Sequence, residues 1–286
     1  MNQDQNLSIS AFIPCYNHWH SIGRAVKSIQ EQSSGVKEIL IIDDGSRLFS
    51  PSQELLSDSK IRIIRLDINH GRGHCRNLAL KESTGDLILN LDATNYIKKD
   101  FIEKALPHFS NPKIAAISGT LLSDSKEKVL DRWRSRHLFR EKSLKSASEE
   151  PCSMLISYGT ILRRNIIQEV GGFNVELKHN EDQELGNRLA KYGYKVIGLL
   201  DLKIYPSISN TLPEVLERYS RWHMDTEEKP SFAGYWHNIK ASFRPMIQAD
   251  LEDGDWKAIL ISLLVPHVQF YFSFKTFLLR NKASKN

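Results

Sequence analysis

Cysteine is scarce in this sequence, and its scarcity excludes two classes of small fold. The 286 residues include three cysteines, Cys15, Cys75 and Cys152, with no Cys-x-x-Cys pair. A disulfide framework or a thiolate zinc site needs more cysteines at closer spacing. Residues 1–6 also lack the basic start and apolar stretch of a secretory signal. We therefore expect a chain that stays in the reducing cytoplasm.

Several nucleotide-binding and hydrolytic motifs are absent too. The sequence has no Gly-x-x-x-x-Gly-Lys-Ser/Thr loop of a P-loop ATPase, no Gly-x-Ser-x-Gly elbow of a hydrolase and no His-Glu-x-x-His zinc pair. The segment Gly71–Arg76 begins like a dinucleotide-binding fingerprint. Arginine stands there in place of the third glycine, which must let a helix pack closely on a strand. A nicotinamide enzyme is therefore not expected.

Composition and charge are close to those of an ordinary globular protein. The chain is 41% hydrophobic and 26% charged, and 39 basic against 34 acidic residues leave a net charge of +5. So small an excess does not favour nucleic-acid binding, and attraction to phosphate must come from local clusters. The length suits one large domain with an appended element. We expect a main domain over residues 1–225 and a helical extension over residues 226–286.

Short apolar runs alternate with helical patterns in the first third of the chain. A helix beginning after Ser21 and another over His74–Glu82 have apolar residues at helical spacing. The runs are rich in Ile and Leu and end at turn or polar residues, as buried strands do. They are Leu7–Cys15, Glu38–Asp43, Ile61–Leu66 and Asp86–Asp92. The alternation predicts an α/β fold with a mostly parallel sheet flanked by helices, and a ligand site beyond the carboxyl ends of the strands.

Polar residues follow three of the predicted strands. They are Pro14-Cys15-Tyr16-Asn17, Asp43-Asp44-Gly45-Ser46 and Asp92-Ala93-Thr94-Asn95. The second set alone could be a helix cap and turn, but three such sets at one edge of a sheet favour a shared crevice. Glu181 and Asp182 open a further predicted helix, where they either complement the helix dipole or act on a ligand. Because adjacent helical residues project about 100° apart, only one of the two would face a ligand.

A series of segments between Ser8 and Trp222 combines these features. They are Ile13–Asn17, Ile42–Ser46, Asn69–Asn77, Gly85–Asp92, and Gly171–Asn174 followed by Glu181-Asp182. In this order they closely resemble the family 2 glycosyltransferases. The resemblance implies a Rossmann-like GT-A fold, a nucleotide-diphosphate sugar as donor, an acceptor hydroxyl and inversion at the anomeric carbon. UDP is the expected nucleotide, because uridine is the commonest donor base in the family.

The resemblance also implies which residues bind the nucleotide. Pro14, Tyr16 and Asn17 would line it, and Asp44, with Asp43 nearby, would accept a hydrogen bond from the base. A carboxylate suits this role because it accepts from the imide or amino groups of a base edge.

The roles near the diphosphate and the acceptor follow from the same resemblance. Arg76 would approach the diphosphate, whose oxygens match the guanidinium fork. Asp182, with Glu181 beside it, holds the general-base position and would take a proton from the acceptor hydroxyl. Arg218-x-x-Arg221-Trp222 is similar to the Gln-x-x-Arg-Trp signature of processive members, with arginine in place of glutamine. An amphipathic helix over Leu212–Met224 is the alternative interpretation of that last segment.

The sequence departs from the family pattern at the expected metal site. Asp92-Ala93-Thr94-Asn95 replaces the usual Asp-x-Asp, and Ile204–Ser207 lacks the histidine that often follows the last core strands. Thr94 therefore stands in place of the second carboxylate, and neutral ligands hold Mn²⁺ or Mg²⁺ weakly. We expect weak or absent metal dependence, with Arg76 and Arg221 supplying charge to the leaving group.

Two other functions remain as alternatives. The missing carboxylate would also suit a sugar-nucleotide-binding protein that has lost catalysis. A nucleotidyltransferase shares a nucleotide-binding α/β sheet, but the sequence has Pro14–Asn17 in place of its Gly-rich basic loop after the first strand. The sequence has no set of membrane-spanning helices for threading a polymer, which favours transfer of a single sugar.

The sequence allows two interpretations of what surrounds each of two further segments. The charged stretch Lys126–Lys145 predicts a solvated helix face, with an anionic-ligand patch as the alternative. Ala258–Leu279 is apolar apart from a sector of Ser262, Gln269, Ser273 and Thr276. Its apolar face would either lie on a bilayer or a partner, or pack on the protein's own core. The basic residues Lys275, Arg280 and Lys282 favour an anionic membrane, and so a peripheral location on its cytoplasmic face and a glycan or lipid-linked acceptor.

Overall fold

The structure is a computed structural model that describes residues 7–139, 155–177, 179–223 and 230–283. The chain divides into two compact units. The first comprises residues 1–122 and 145–208, and the second comprises residues 123–144 and 209–286. The division into a main domain over residues 1–225 and an extension over residues 226–286 stays a prediction.

The first unit is built on one mixed sheet of eight strands. They are β1 (Ile9–Cys15), β2 (Glu38–Asp43), β3 (Ile61–Arg65), β4 (Leu87–Leu91), β5 (Asn95–Ile97), β6 (Ile114–Leu121), β7 (Gly159–Arg163) and β8 (Lys195–Pro206). Their order in the sheet is β3-β2-β1-β4-β7-β6-β8-β5. The strands β3, β2, β1 and β4 are mutually parallel. The predicted strands of the first third are confirmed, with ends that differ by at most two residues.

The second half of the sheet changes direction. Strand β7 runs antiparallel to β4 and β6, whereas β8 runs parallel to β6 and antiparallel to β5. Since β7 is antiparallel to β4, the residues that precede β7 lie at the same edge as the residues that follow β4. This edge carries the carboxyl ends of β1, β2 and β4.

The helices cover the sheet in the first unit and form the second unit. They are α1 (Ile22–Gln30), α2 (Gln53–Ser57), α3 (Arg72–Glu82), α4 (Phe101–Ala105), α5 (Val129–Trp133), α6 (Arg164–Glu169), α7 (Glu181–Lys191), α8 (Leu212–His223), α9 (Phe232–Ala241), α10 (Ile247–Glu252) and α11 (Trp256–Ala283). On one sheet face, α3, α6 and α7 pack through Leu80, Ile167, Leu185 and Leu189 against Phe12 and other buried strand residues. The apolar residues Leu185 and Leu189 thereby fix α7, at whose start Glu181 and Asp182 stand.

The second unit packs around Trp133, which is fully buried. Val215 and Leu216 of α8 and Ile261 and Val265 of α11 belong to the same apolar cluster. A π-helix over Arg134–Leu138 follows α5. Because apolar residues of α5, α8 and α11 meet here, these helices share one core.

The prediction of a solvated helix face over Lys126–Lys145 is wrong for residues 133–139, which are mostly buried, whereas Lys126 and Lys128 are exposed. Arg134 is 2% exposed, and Arg136 pairs through Nε with Asp253 at 2.6 Å and through Nη1 with buried Asp250. The sequence pattern misled because these acidic partners lie more than 100 positions further along the chain. Residues 140–145 lie outside the described residues.

Candidate active site

The carboxyl ends of β1 and β2 form the first wall of the candidate site. Cys15 and Asp43 are partners across the two strands, and the Asp44 N–H donates to the Cys15 carbonyl at 2.8 Å. Asn17 has a positive φ of 60°, a conformation that asparagine tolerates better than most residues. Its N–H donates to Ser46 Oγ at 2.8 Å. These bonds join the loops after β1 and β2, and Tyr16 between them is 42% exposed, which leaves its ring free for stacking.

Asp43 is fully buried at the end of β2. Its Oδ1 accepts from the Ser46 hydroxyl, and its Oδ2 lies 3.7 Å from Arg65 Nε without a hydrogen bond. Gly45 follows with φ +70°, and a Cβ there would approach the Ile68 carbonyl carbon to 2.5 Å. A glycine is therefore required for this turn, and the turn holds Asp43 and Asp44 at the edge of the sheet.

The Asp44 carboxylate is already engaged by the backbone. Oδ1 accepts from the His70 N–H at 2.7 Å and Oδ2 from the Gly71 N–H at 2.9 Å. These bonds hold the loop before α3 against the end of β2. Each carboxylate oxygen has a second acceptor position, so contact with a nucleotide base would add to this structural role.

Arg76 does not face open solvent. It is 2% exposed, and its Nη1 lies 2.5 Å from Oε1 of Glu181, which is also buried. The guanidinium also stacks over the Phe173 ring at 5.2 Å. Its charge is matched by Glu181, while Nε has no hydrogen-bond partner. The pair ties α3 to the start of α7. The expected approach of Arg76 to the diphosphate stays a prediction.

Cys75 connects the two sides of this wall. Burial and the nearby Asp44 carboxylate, against a smaller opposing effect of Arg76, raise the pKa of its thiol to about 12. The thiol therefore lies within electrostatic range of both side chains. Asp44 and Arg76 are neighbours in the fold, as a shared site requires.

Asp182 lies in the first turn of α7 and contacts Ser157 in the segment before β7. Its Oδ2 accepts from the Ser157 hydroxyl at 2.9 Å and from the Ser157 N–H at 3.3 Å. Asn180 precedes the helix in the left-handed conformation, with φ 62°. Glu181 thereby reaches Arg76 while Asp182 reaches Ser157, so the two adjacent carboxylates have separate partners.

Tyr158 links Asp182 with the end of β4. Burial raises the pKa of its hydroxyl, and the negative charges of Asp182 and Asp92 raise it further. The strand register pairs Leu91 with Gly159. Asp92, which follows Leu91, and Tyr158, which precedes Gly159, therefore lie at the same edge of the sheet. Asp92 and Asp182 are therefore both within electrostatic range of one phenol.

The loop after β4 offers one carboxylate for a cation. Asp92 has a buried Oδ1 with no hydrogen-bond partner, a condition that a bound cation would relieve. Asn95 donates from Nδ2 to the Tyr158 carbonyl at 3.2 Å, and the Thr94 carbonyl accepts from the Ser207 N–H at 2.7 Å. Within the described ranges, no group of three or more His, Cys, Asp and Glu residues could hold a metal ion. The residues fit one protein ligand for Mn²⁺ or Mg²⁺.

Tyr205 is the aromatic residue of the segment Ile204–Ser207, which lacks the family histidine. Tyr205 pairs with Tyr96 across β8 and β5, and their rings stack at 5.3 Å. Arg24 lies over the Tyr96 ring at 3.7 Å. Arg221 belongs to α8 of the second unit and lies 3.8 Å from Glu217.

Sequence reasoning missed three polar residues that organise the site. Ser157 and Tyr158 precede β7, and no periodic pattern marks them. Asn77 was part of a recognised segment without a role of its own. It accepts from the Phe173 N–H at 2.7 Å and donates to the Phe173 carbonyl at 2.8 Å. Gly172 permits this contact, since a Cβ there would approach Asn77 Oδ1 to 2.6 Å.

Proteins with similar sequences are named as glycosyltransferases. An N-acetylglucosaminyltransferase of Bradyrhizobium elkanii is 28% identical over 128 residues, which are 43% of this chain and 70% of the relative. An N-acetylglucosaminyltransferase of Sinorhizobium fredii is 23% identical over 77% of this chain. The poly-beta-1,6-N-acetyl-D-glucosamine synthase of Staphylococcus epidermidis is 22% identical over 81% of this chain. The chain spans 57% of the length of each of the last two proteins.

Solved structures of glycosyltransferases share the fold. A mannosyltransferase of Pyrobaculum calidifontis in complex with GDP-Man and Mn²⁺ has a TM-score of 0.57 and 17% identity, covering 99% of this chain and 76% of its own. GalNAc-T7 with UDP, GalNAc and Mn²⁺ has a TM-score of 0.54 and 16% identity, covering 88% of this chain and 54% of its own. The expected GT-A fold, a mixed sheet with flanking helices, is confirmed.

The sequence profile described as Glycosyl transferase family 2 matches residues 10–171, more than half of the chain. The match spans β1 to α6, and so includes the ends of β1, β2 and β4 and the residues Ser157 and Tyr158. The expectation of a glycosyltransferase is confirmed: the chain belongs to glycosyl transferase family 2.

Proposed function

We propose that the chain is an inverting glycosyltransferase in which Asp182 is the general base. The observation that carries the proposal is the common neighbourhood of Asp92, Tyr158 and Asp182. Leu91 pairs with Gly159 across the sheet, and Ser157, two residues before Gly159, donates to Asp182 Oδ2 at 2.9 Å. Asp92 follows a parallel strand, where open α/β sheets bind their ligands. Asp182 belongs to a different element, so a donor near Asp92 and an acceptor near Asp182 would meet between them.

The proposed reaction is a single displacement. The Asp182 carboxylate takes the proton of the acceptor hydroxyl as that oxygen forms a bond to the anomeric carbon. The bond between this carbon and the diphosphate oxygen breaks, and the nucleoside diphosphate leaves with the electron pair. Attack opposite the leaving group inverts the configuration. A positioned general base contributes typically about 10²–10⁴-fold to the rate.

The nucleotide would lie against the ends of β1 and β2. Pro14, Tyr16 and Asn17 are the proposed lining residues, with Asp43 and Asp44 toward the base. The exposed ring of Tyr16 supports this role because it can stack on a base. UDP-N-acetylglucosamine is the first donor to test, because several similar proteins are named as N-acetylglucosaminyltransferases. Structures with this fold hold either GDP-Man or UDP, so the fold leaves the base open.

A divalent cation would be held by Asp92 together with oxygens of the donor. Mg²⁺ is often bound through one or two carboxylates and substrate phosphates, and a site with Asp92 as its one carboxylate would hold it weakly. Such a cation would offset negative charge on the leaving diphosphate. Weak or absent dependence on metal stays a prediction, as does the role of Arg76 at the leaving group; in the structure Arg76 pairs with Glu181.

The proposed acceptor is a glycan or a lipid-linked hydroxyl on the cytoplasmic face of a membrane. The naming of one relative as a poly-N-acetylglucosamine synthase supports a role in polysaccharide synthesis. Single-sugar transfer remains our proposal, because only Trp256–Leu278 among the described helices is long and apolar enough to cross a membrane. The role of Arg221 at the leaving group is likewise a proposal.

The test compares the wild-type protein with Asp182→Asn. Thermal shifts against UDP and GDP sugars, with and without Mn²⁺, identify the donor, because a ligand at 100 times its dissociation constant adds about 2.7 kcal/mol of stability. Transfer, or slow hydrolysis of that donor, is then measured. We expect Asp182→Asn to bind donor like the wild type and to lose about 10²–10⁴-fold in rate. Unchanged turnover in this variant would refute the role of Asp182.

A second candidate is a donor-binding protein without catalysis. The observation that favours it is the single carboxylate after β4, with Thr94 where a second would stand. This candidate predicts a thermal shift with a nucleotide sugar and neither transfer nor hydrolysis by the wild-type protein. Inverted product from the wild type would exclude it.

A further inference from the structure

Helix α11 exposes large apolar side chains beside the polar residues Lys257, His267 and Lys275. Its polar residues Ser262 and Gln269 are buried, whereas Leu260 and Leu264 are 62% and 43% exposed. The Ser262 hydroxyl donates to Asp250 Oδ2 at 2.6 Å and accepts from Trp133 Nε1 at 2.9 Å. A helix bordering water normally places its polar face outward. The arrangement instead suits a helix whose outer face meets an apolar phase.

The C-terminal half of α11 is rich in aromatic residues that are exposed or partly exposed. None of the nine side chains from Phe270 to Leu278 is buried. Five of these residues are aromatic: Phe270, Tyr271, Phe272, Phe274 and Phe277. Scattered exposed apolar residues are common, but a contiguous set of this kind marks an interaction surface.

Helix α9 extends this set of rings. Tyr235 lies 5.0 Å and Phe232 6.0 Å from the ring of Phe270, and the Tyr235 hydroxyl is 2.9 Å from His267 Nδ1. Phe232 is 76% exposed and Trp236 is 60% exposed. We call the large exposed apolar residues of the two helices the α9–α11 face; they are Phe232, Trp236, Trp256, Leu260, Leu264, Tyr271, Phe274 and Leu278.

The charged side chains on α9 and α11 have one sign. The sequences of α9 and α11 contain no aspartate or glutamate. Lys240, Lys257 and Lys275 are exposed on these helices, and the sequence of α11 adds Arg280 and Lys282. Basic residues beside an apolar face are attracted to anionic headgroups near the surface. A second copy of the chain would bring equal charges together, which disfavours that occupant.

We propose that the α9–α11 face docks on an anionic phospholipid bilayer, with α11 lying in the interface. Trp256–Leu278 has the length and composition to cross a membrane, but a third of it is buried in the protein. On one side of the helix, Ser262, Ala258 and Val265 pack against the rest of the second unit, including Trp133. Lipid cannot surround a helix that is held in this way, whereas its outer side can enter the headgroup region.

The experiment is co-sedimentation of the full chain with vesicles, without sugar donor or acceptor. One set of vesicles contains phosphatidylcholine alone, and the other contains phosphatidylcholine mixed with phosphatidylglycerol. We expect binding to the mixed vesicles that weakens as salt is raised, because salt screens attraction between exposed charges. Protein that stays in the supernatant with both sets overturns the proposal.

Two variants locate the binding surface. Phe274→Glu combined with Leu278→Glu replaces exposed side chains, so the fold should tolerate it, and vesicle binding should fall at least about ten-fold. The matched control is Leu56→Glu on α2, where the side chain is 56% exposed; it should bind like the wild type. Equal binding by all three proteins overturns the proposal.

Sedimentation velocity without lipid tests whether a second copy of the chain, rather than a bilayer, covers the α9–α11 face. A monomer that binds the mixed vesicles supports the proposal. A dimer that dissociates in the Phe274→Glu and Leu278→Glu variant, and does not bind vesicles, assigns the surface to a second copy and overturns it. Since no substrate is present, loss of vesicle binding leaves the proposed sugar transfer untouched, and an inactive protein can still bind vesicles.

Discussion

The Ser157 hydroxyl donates a hydrogen bond of 2.9 Å to Oδ2 of Asp182, and the Ser157 N–H approaches the same oxygen at 3.3 Å. Two donors from one residue restrict the direction of the carboxylate. Ser157 is buried immediately before β7, so the sheet itself orients these donors. A general base held in this way needs little rearrangement when an acceptor hydroxyl arrives.

We predict that Ser157→Ala reduces turnover more than it reduces donor affinity. Hydrogen bonds to charged groups contribute about 1.5–3 kcal/mol, and a barrier change of about 1.4 kcal/mol is ten-fold in rate. A loss of about 10–100-fold in kcat is therefore expected, with the KM for the donor nearly unchanged. Steady-state kinetics at saturating acceptor measure both constants.

The control for this variant is Ser10→Ala near the start of β1, at the opposite edge of the sheet from Asp182. Ser10 is buried, and its hydroxyl donates to Glu38 Oε1 at 2.8 Å, so the variant also removes a buried hydroxyl that binds a carboxylate. A general effect of removing a buried hydroxyl would lower kcat similarly in both variants. That result would contradict a specific role for Ser157.

We predict that excess chelator leaves most of the turnover of the wild-type protein in place. Asp92 is the one carboxylate in the segment Asp92–Asn95, and neutral oxygens hold a hard cation weakly. The measurement is the initial rate with and without EDTA, followed by addition of Mn²⁺ or Mg²⁺. Complete loss of activity that either cation restores would contradict the prediction and favour a cation held by Asp92 and the donor.

Local patterns predicted the first half of the sheet because each strand there is nearly continuous in apolar residues. Strand β2 has six residues, of which five are buried, and its predicted and observed bounds coincide. Strand β8 could not be found in this way, because exposed positions such as Lys195, Gly198, Asp201 and Lys203 interrupt its buried ones. Its pairing with β6 also contains register shifts, which no local periodicity specifies.

The proposed roles of Asp92 and Asp182 follow from the resemblance to the family, because residue chemistry alone leaves such carboxylates open between a local structural role and a ligand. Partners across the fold were not predictable. Glu181 stands 105 positions after Arg76, and the sequence favoured phosphate as the partner of that arginine. Ser157 and Tyr158 matter because β7 runs antiparallel to β4, which places them beside Asp92. That direction of pairing is a property of the whole sheet.

We predict that Cys15 and Cys75 react slowly with iodoacetamide in the folded protein. Burial, together with nearby carboxylates, raises the pKa of each thiol to about 12. Only the thiolate reacts, and at pH 8 a thiol with such a pKa is about 10⁻⁴ ionised. The rate should rise about ten-fold per pH unit between pH 7 and 10. Mass spectrometry assigns the labelled peptides, which separates these residues from Cys152.

The same shifts give a direction for stability against pH. A raised pKa in the folded state means that these thiols favour folding below their unfolded pKa of about 8.5. That contribution is lost as pH rises toward about 12, the folded value.

The reference for the iodoacetamide experiment is labelling in urea, where both thiols are exposed. Equal rates in the folded protein and in urea would refute the prediction.

The last prediction separates two roles of Arg76. Arg76→Met leaves Glu181 as a buried unpaired charge, and breaking such a pair typically costs about 3–5 kcal/mol. The double variant Arg76→Met with Glu181→Leu removes both charges, so its free energy of unfolding should recover much of that loss. Urea unfolding of the wild type, both single variants and the double variant measures the coupling. Additive losses would contradict an Arg76–Glu181 ion pair.

Donor affinity of the double variant then decides what Arg76 does. If the arginine acts through Glu181 to hold the start of α7, the folded double variant should bind UDP like the wild type, while kcat falls because Asp182 is less firmly placed. If the guanidinium contacts the diphosphate, affinity should fall by at least about ten-fold, since hydrogen bonds to charged groups contribute about 1.5–3 kcal/mol. We expect the first result, because Glu181 already accepts from Nη1 at 2.5 Å and both side chains are buried.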